Sequence, residues 1–250
     1  MEFSFEITEN DIARVKSFVR QHENGRFVVE RRSRNLTESK LEITKEKFWK
    51  AMTGARLTSV QRSGPQSPVI RFLSSQPFPL AYCRVCEFEK PEHFIRSTLV
   101  NAGGIRFSNR IAEDLSANLE QLQSGAWKQT LADCNALRSA TSPQDERRAA
   151  DHIRITFKGF GPKQSRNLLQ SLGLTRYEIP IDSRVIHWLK DFGFPVPLSA
   201  AALTDSDYYN FISDGVQELC RRSGVEPCIF DAVIFSARDG EDWERPNILF

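Results

Sequence analysis

The 250-residue sequence lacks any apolar run long enough to cross a bilayer, so it predicts no transmembrane segment. Residues 1–6 are acidic and contain no apolar signal-peptide core. Charge of neither sign dominates, because 34 Lys and Arg residues face 32 Asp and Glu residues for a net charge of +2. That balance neither requires nor excludes nucleic acid as a partner. A soluble protein of the cytoplasm or the nucleus is therefore expected.

Cysteine is also scarce. The five cysteines form no regular framework, which argues against a disulfide scaffold and favours a reducing compartment. Cys83 and Cys86, with His93 nearby, could form half of a zinc site. No second pair completes it, because Cys220 and Cys228 lack companions at a suitable spacing. We therefore expect Cys83 and Cys86 to be ordinary buried thiols, and we predict neither a metal ion nor a cofactor.

Strand patterns are nearly absent. The one candidate is residues 25–36, where Val, Phe and Arg are frequent and a short strand is predicted. Elsewhere apolar residues recur at helical spacing, as in Ile111, Leu115 and Leu119, and about ten helices are expected. The sequence contains no internal repeats and no low-complexity segments. It therefore predicts an all-α (mainly α) protein with little sheet.

The most informative stretch runs from Phe157 to Lys163 and reads FKGFGPK. Gly159 and Gly161 flank the apolar Phe160, and glycine takes backbone angles that strain other residues. Pro162 suits the first turn of a helix, where no N–H is needed. The pattern predicts a tight turn before a helix whose free backbone N–H groups can bind a phosphate. Taken alone, such a turn is common to many non-enzymatic DNA-binding domains.

Lys163 lies in the first turn of that helix, and Asp182 follows nineteen positions later. A lysine amine is a nucleophile only when neutral, and burial and the positive end of its helix would lower its ordinary pKa of about 10.4. Such an amine can attack C1′ of a nucleotide, displace the base and form a Schiff base. A nearby carboxylate can stabilise the charge that develops on the sugar. Asp182 also has a simpler interpretation, as the N-cap of a helix that begins at Ser183.

The segments Gly159-Phe160-Gly161-Pro162-Lys163 and Pro180-Ile181-Asp182 together resemble the helix-hairpin-helix Gly/Pro-Asp superfamily of DNA glycosylases. Their spacing resembles the 8-oxoguanine DNA glycosylase branch, and the segment FDAVIFSA at residues 230–237 is similar to its last helix. The four-cysteine iron–sulfur pattern of the endonuclease III branch is absent. The resemblance spans about residues 45–240. It implies that Lys163 is the nucleophile and Asp182 the essential carboxylate.

The resemblance also implies residues that recognise the base. In the family's last helix one residue reads the extruded base and a phenylalanine stacks on it, and these positions correspond to Asp231 and Phe235. Asn167 stands where the 8-oxoguanine branch has a cysteine that touches the oxidised base. A carboxylate at position 231 could accept both donors of a guanine edge, N1–H and the 2-amino group. Because Asn167 and Asp231 both depart from the pattern, the discrimination between 8-oxoguanine and plain guanine stays open.

The remaining implied contacts are with the DNA backbone and with the gap that an extruded base leaves. Gly159 and Gly161 would hold a phosphate through the hairpin amides, and Arg184 stands where the family places a phosphate-contacting histidine. Gln61 would fill the gap, with Arg62 beside it. The alternative for Gln61 and Arg62 is an ordinary helix C-terminus.

We further expect two helical subdomains with a cleft between them. Residues 45–85 and 195–250 would form one subdomain. Residues 86–194 would form the other, with the helix-hairpin-helix motif at about 145–173. Residues 1–44, which carry none of the resemblance, would be an N-terminal extension.

The sequence thus predicts a bifunctional DNA glycosylase and AP lyase of base excision repair. It would act as a monomer on double-stranded DNA, in the nucleoid or the nucleus, and remove an oxidised purine, foremost 8-oxoguanine. Two alternatives stay open. One is a glycosylase for another damaged or hypermodified base, as in phage DNA. The other is a catalytically silent helix-hairpin-helix module that binds DNA structure.

Overall fold

The structure is a computed structural model that describes residues 5–37, 39–59, 61, 64–139 and 142–239. Within these residues the chain forms thirteen α-helices and no strand, which confirms the expected all-α class. No described helix is both long and apolar enough to span a bilayer.

The helices follow one another through short connections. One π-helical turn, Ser33–Thr37, follows the second helix, and another, Leu122–Ala126, separates the seventh helix from the eighth. They are α1 (Glu9–His22), α2 (Arg26–Arg32), α3 (Lys45–Leu57), α4 (Pro68–Ser74), α5 (Tyr82–Val85), α6 (Pro91–Ala102), α7 (Ser108–Gln121), α8 (Trp127–Ala136), α9 (Pro143–Thr156), α10 (Pro162–Ser171), α11 (Ser183–Phe192), α12 (Ser206–Ser223) and α13 (Pro227–Asp239).

Helices α3 to α10 enclose a first hydrophobic core, which draws on residues 43–174. Phe48 and Trp49 of α3 are completely buried there. The Trp49 indole N–H donates to the Leu80 carbonyl at 2.9 Å, so its one polar atom is satisfied inside the core. Each buried side chain of this size contributes about 1.5–3 kcal/mol relative to an exposed one. We call this cluster the first core.

A second core joins the two ends of the described chain, because it draws on residues 7–28 and 179–234. Trp188 of α11 packs edge-on against Phe230 of α13, with ring centroids 4.8 Å apart. Helices α1 and α2 therefore form part of a core and are not an appendage. The expected grouping of 45–85 with 195–250 does not coincide with the two cores.

The strand expected within residues 25–36 is wrong, because this segment is helix α2 followed by a π-helical turn. Its Val and Phe residues have high strand propensity, but tertiary packing overrides such preferences. Phe27, Val28 and Arg31 recur at helical spacing and are all buried. The N-cap of the helix is Gly25, where a Cβ atom would lie 2.8 Å from the Ser236 hydroxyl oxygen. Glycine thus permits the close approach of α2 to α13.

Side-chain caps fix several helix starts where the sequence places them. Thr8 and Asp11 form a capping box at α1, and Ser142 and Asp145 form another at α9. Helix α6 was not expected from the sequence, although Pro91 at its first turn is a common start signal.

The expectation of buried thiols at Cys83 and Cys86 is wrong, because both side chains are exposed at the short helix α5. That helix spans only four residues and buries Val85 alone, so its cysteines face outward. Among the described residues no cluster of His, Cys, Asp and Glu is suited to hold a metal ion.

Candidate active site

The turn between α9 and α10 is shaped by one glycine. Gly159 has φ of 82°, in the left-handed region that favours glycine. A Cβ atom there would lie 2.7 Å from the Arg56 guanidinium carbon and 2.7 Å from Asp114 Oδ2. By contrast, Gly161 is exposed, has φ of −92° and has open space where its Cβ would be. The fold therefore requires glycine at position 159. At position 161 the backbone borders open space on the exposed side of the turn.

Helices α3 and α7 hold this hairpin from behind. Arg56 donates to the Gly159 carbonyl at 2.8 Å and pairs with Asp114 at 2.6 Å. The Asn118 side chain accepts from the Lys158 N–H at 2.7 Å and donates to its carbonyl at 3.0 Å. Because the backbone of Lys158 and Gly159 is bonded to side chains of α3 and α7, the hairpin presents its outer face in a fixed orientation.

Lys163 follows the hairpin in the first turn of α10, and its side chain is partly buried. Burial lowers the pKa of the Lys163 amine, and Arg184 lowers it further, whereas Asp182 and Asp231 oppose the shift. None of the ion pairs between described residues includes Lys163. Burial thus favours the neutral form of the amine, which is the nucleophilic one.

Asp182 is the N-cap of α11, as the simpler interpretation of the sequence predicted. Its Oδ1 accepts from the N–H groups of Arg184 at 2.8 Å and Val185 at 3.2 Å. Its Oδ2 accepts from Arg184 Nε at 3.0 Å. The cap holds the carboxylate in one orientation, and the residue lines the same cavity as Lys163.

A buried polar network fixes the connector from residue 178 to residue 182 that carries Asp182. Arg166 of α10 pairs with Glu178 at 2.6 Å, with both side chains fully buried. Tyr209 of α12 accepts from the Ile181 N–H at 2.7 Å and donates to the Ile179 carbonyl at 2.9 Å. Because Arg166 belongs to the same helix as Lys163, this network sets the position of the lysine relative to the aspartate.

Phe235 lies between two other planar groups. The Phe27 ring stacks on it at a centroid distance of 4.3 Å and an interplanar angle of 13°. The guanidinium carbon of Arg184 lies 4.0 Å from its centroid. Two groups this close must occupy opposite faces of the ring. A base that stacks on Phe235 would therefore displace Arg184 or Phe27 first.

Asp231 forms a buried ion pair with Arg31 of α2 at 3.1 Å. The same oxygen, Oδ2, accepts from Gln170 Nε2 at 2.8 Å. Burial raises the pKa of Asp231, and Arg31 opposes that shift. Sequence reasoning missed these partners because Arg31 and Phe27 belong to the N-terminal region, outside the resemblance. Gln170 lies on α10 within the helix-hairpin-helix motif, but it is not one of the residues that carry the resemblance.

These side chains surround one cavity between the two cores, which we call the inter-core cavity. One wall comes from the first core and consists of Thr58, Ile70, Lys163, Asn167 and Gln170. The other comes from the second core and consists of Phe27, Arg31, Pro180, Asp182, Arg184, Asp231 and Phe235.

The remaining residues singled out by the sequence lie around this cavity or are engaged elsewhere. Asn167 lines it, and its amide lies 3.5 Å from the Thr58 hydroxyl. Gln61 donates to the Leu57 carbonyl at 2.6 Å and accepts from the Arg106 N–H at 2.9 Å, so its side chain ties two loops together. Arg62 lies outside the described residues.

Solved structures with the same fold include 8-oxoguanine DNA glycosylases. The Methanocaldococcus jannaschii enzyme is 16% identical with a TM-score of 0.62, covering 93% of this chain and 95% of that one. The Thermotoga maritima enzyme Tm1821 is 15% identical with a TM-score of 0.61, covering 93% and 96%. The Methanocaldococcus jannaschii glycosylase/lyase in complex with a 15mer DNA containing 8-oxoguanine is 14% identical with a TM-score of 0.65, covering 92% and 100%.

No protein-family model and no curated protein sequence matches the chain. The fold is nevertheless that of the 8-oxoguanine DNA glycosylases over more than nine-tenths of the sequence.

Proposed function

We propose that the protein is a DNA glycosylase with AP lyase activity that acts on a damaged base extruded from double-stranded DNA. The observation that carries this proposal is the position of Lys163 in the inter-core cavity, where burial lowers the pKa of its amine and no ion pair among the described residues includes it. Asp182 lines the same cavity from the opposite core. The fold shared with 8-oxoguanine DNA glycosylases supports the assignment.

In the proposed reaction, the neutral Lys163 amine attacks C1′ of the extruded nucleotide. A C1′–N bond forms as the N-glycosidic bond breaks, and the base leaves with the electron pair and takes up a proton. Asp182 stabilises the positive charge that develops on the sugar. Loss of a proton from the amine and opening of the sugar ring then give a Schiff base.

The hairpin would hold the DNA strand. Its outer face and the N-terminus of α10 present backbone N–H groups to a phosphate, which fixes position without reading sequence. Because the reacting carbon is inaccessible in a stacked duplex, the nucleotide must leave the stack. Arg184 would then exchange its contact with Phe235 for a phosphate and free one face of the ring for the base.

For the substrate we propose an oxidised purine, with 8-oxoguanine foremost. The support is the shared fold with two 8-oxoguanine glycosylases, one of them solved with 8-oxoguanine DNA. The alternative substrate is another damaged or hypermodified base. It is favoured by the Arg31–Asp231 ion pair inside the cavity, because Arg31 engages the carboxylate that would otherwise accept the donors of a guanine edge.

Borohydride trapping tests the proposal. The protein is incubated with duplexes that carry 8-oxoguanine, other lesions or a preformed abasic site, and the imine is reduced to a covalent adduct. We expect an adduct with wild-type protein and its loss in Lys163→Gln. Lys128→Gln, which changes an exposed lysine of α8, is the matched control and should trap normally.

Two outcomes would reject the proposal. The absence of an adduct with every duplex, abasic DNA included, would favour a silent DNA-binding module. An adduct that persists in Lys163→Gln would reject this lysine as the nucleophile. An adduct with an oxidised pyrimidine but not with 8-oxoguanine would overturn only the substrate.

A further inference from the structure

One part of the inter-core cavity contains buried polar groups that the proposed reaction does not use. Arg31, Gln170 and Asp231 are 3%, 2% and 7% exposed. Asp231 Oδ2 accepts from Arg31 Nη1 at 3.1 Å and from Gln170 Nε2 at 2.8 Å. This oxygen already holds two donors, so it cannot accept the N–H groups of a base unless it releases one of them.

Two atoms of the same residues are buried without a hydrogen-bond partner among the described residues: the donor Nε of Arg31 and the acceptor Oε1 of Gln170. Buried polar atoms are nearly always paired. An unpaired donor and an unpaired acceptor in residues that line one cavity therefore indicate a ligand that supplies an acceptor and a donor. Asp231 fixes this pattern, because the Gln170 amide nitrogen must face the carboxylate and its oxygen must point elsewhere.

The position of Gln170 indicates which part of a base it would meet. It follows Lys163 by seven residues on α10, so it lies about two turns, or about 10 Å, farther along the same face of the helix. A lysine that bonds C1′ would therefore leave Gln170 near the edge of the base remote from the sugar. In a 6-oxopurine that edge carries a carbonyl beside a ring N–H, whereas a 6-aminopurine carries an amino group beside an unprotonated nitrogen.

We propose that Arg31 and Gln170 determine substrate specificity by reading this remote edge. Arg31 Nε donates to the ring carbonyl, and Gln170 Oε1 accepts from the neighbouring ring N–H. The inference rests on the proposed function and narrows its substrate to bases with a 6-oxopurine edge. A 6-aminopurine would place its amino donor against the Arg31 donor and its unprotonated ring nitrogen against the Gln170 acceptor. Arg31 Nε and Gln170 Oε1 would then both lack a hydrogen-bond partner.

A pair of oxidised purines separates the two edges, because 8-oxoguanine and 8-oxoadenine share the oxidised ring and differ at the remote edge. Single-turnover excision of each base is measured and divided by the rate of trapping at a preformed abasic site, which needs Lys163 but no base. Arg31→Lys keeps the charge opposite Asp231 and removes the Nε donor. Arg32→Gln changes the exposed neighbour on α2 and is the matched control.

We expect the wild-type protein and Arg32→Gln to excise 8-oxoguanine at least about tenfold faster than 8-oxoadenine, which is the discrimination typical of a paired base contact. Arg31→Lys should lose most of this preference when each excision rate is divided by the rate at which the same variant traps abasic DNA. Equal excision of the two bases by the wild-type protein, or an unchanged preference in Arg31→Lys, would overturn the inference.

A binding measurement keeps the inference separate from the proposed chemistry. Lys163→Gln and Lys163→Gln/Arg31→Lys are titrated with the two lesion duplexes at one salt concentration, since DNA affinity depends strongly on salt. Preference for 8-oxoguanine in the first variant and its loss in the second would support the edge assignment even if no adduct forms. Equal affinities of the first variant for both duplexes would overturn it, whether or not abasic DNA is trapped.

Discussion

At the residue scale, the candidate site consists of one amine and the charges around it. Burial is the chief cause of the lowered pKa of Lys163. Arg184 adds to this effect, whereas Asp182 opposes it. Arg184 also pairs with Asp182 at 2.9 Å and covers a face of Phe235. A single arginine therefore connects the amine, the carboxylate and the aromatic ring.

These charges predict opposite pH shifts in two variants. Removal of the Arg184 cation should raise the pKa of Lys163, so less neutral amine is present at a given pH and the rising limb of the rate profile moves to higher pH. Removal of the Asp182 anion should lower that pKa and move the limb to lower pH. Trapping of preformed abasic DNA with cyanoborohydride across a pH series measures both Arg184→Gln and Asp182→Asn.

The comparison with Lys163→Gln, which should not trap at any pH, provides the baseline. A shift of both variants in the same direction would contradict the assignment of the titrating group to Lys163.

The sequence could predict these residues only where they belong to a local pattern. Lys163 and Asp182 are predicted from the glycine turn, the proline and the resemblance that these two segments carry. Arg31 carries no such signal, because its partner Asp231 is 200 residues away and the pair exists only once α2 packs against α13. The sequence shows that Asp231 departs from the family pattern. It does not show that Arg31 is the cation that balances the charge of this carboxylate.

At the scale of elements, the hairpin and helix α2 differ in how far the sequence determines them. The hairpin was predicted because glycine and proline have local conformational requirements. Helix α2 was predicted as a strand because its Val and Phe residues favour strands in general. Its helical form follows from contacts with α13, where Phe27 meets Phe235 and Arg31 meets Asp231. The two contacting residues of each helix are four positions apart, which places them on one face of that helix.

The two hairpin glycines should respond differently to alanine. Gly159→Ala forces a side chain into a left-handed conformation and against Arg56, so we expect destabilisation of about 1–3 kcal/mol. Gly161→Ala meets no atom within 4 Å and should leave the melting temperature nearly unchanged. On the exposed face, however, its methyl group would separate the backbone from a phosphate and weaken DNA binding about tenfold.

Thermal unfolding and fluorescence anisotropy with an abasic duplex at fixed salt measure the two effects. Each variant serves as the control for the other. A Gly161→Ala protein that binds DNA as tightly as the wild type would contradict the proposed phosphate contact.

At the scale of the whole molecule, the candidate site exists because two cores meet. Lys163 belongs to a helix of the first core, and Asp182 and Asp231 belong to helices of the second. Arg166 and Glu178 form the buried ion pair that connects them. The Tyr209 hydroxyl bonds the backbone of the connector at Ile179 and Ile181. The sequence predicted helices and a cleft, but it could not predict that residues 7–28 complete the second core, because that requires contacts between the chain ends.

The central claim is that Lys163 is the residue that bonds to DNA, and the most direct test is to locate the adduct. The protein is reduced with borohydride on an abasic duplex, digested with a nuclease and a protease, and analysed by mass spectrometry. We expect the sugar remnant on the peptide that contains Lys163, and on no other lysine, including the neighbouring Lys158. A remnant on Lys158 or on the amino terminus, or no remnant on any peptide, would contradict the claim.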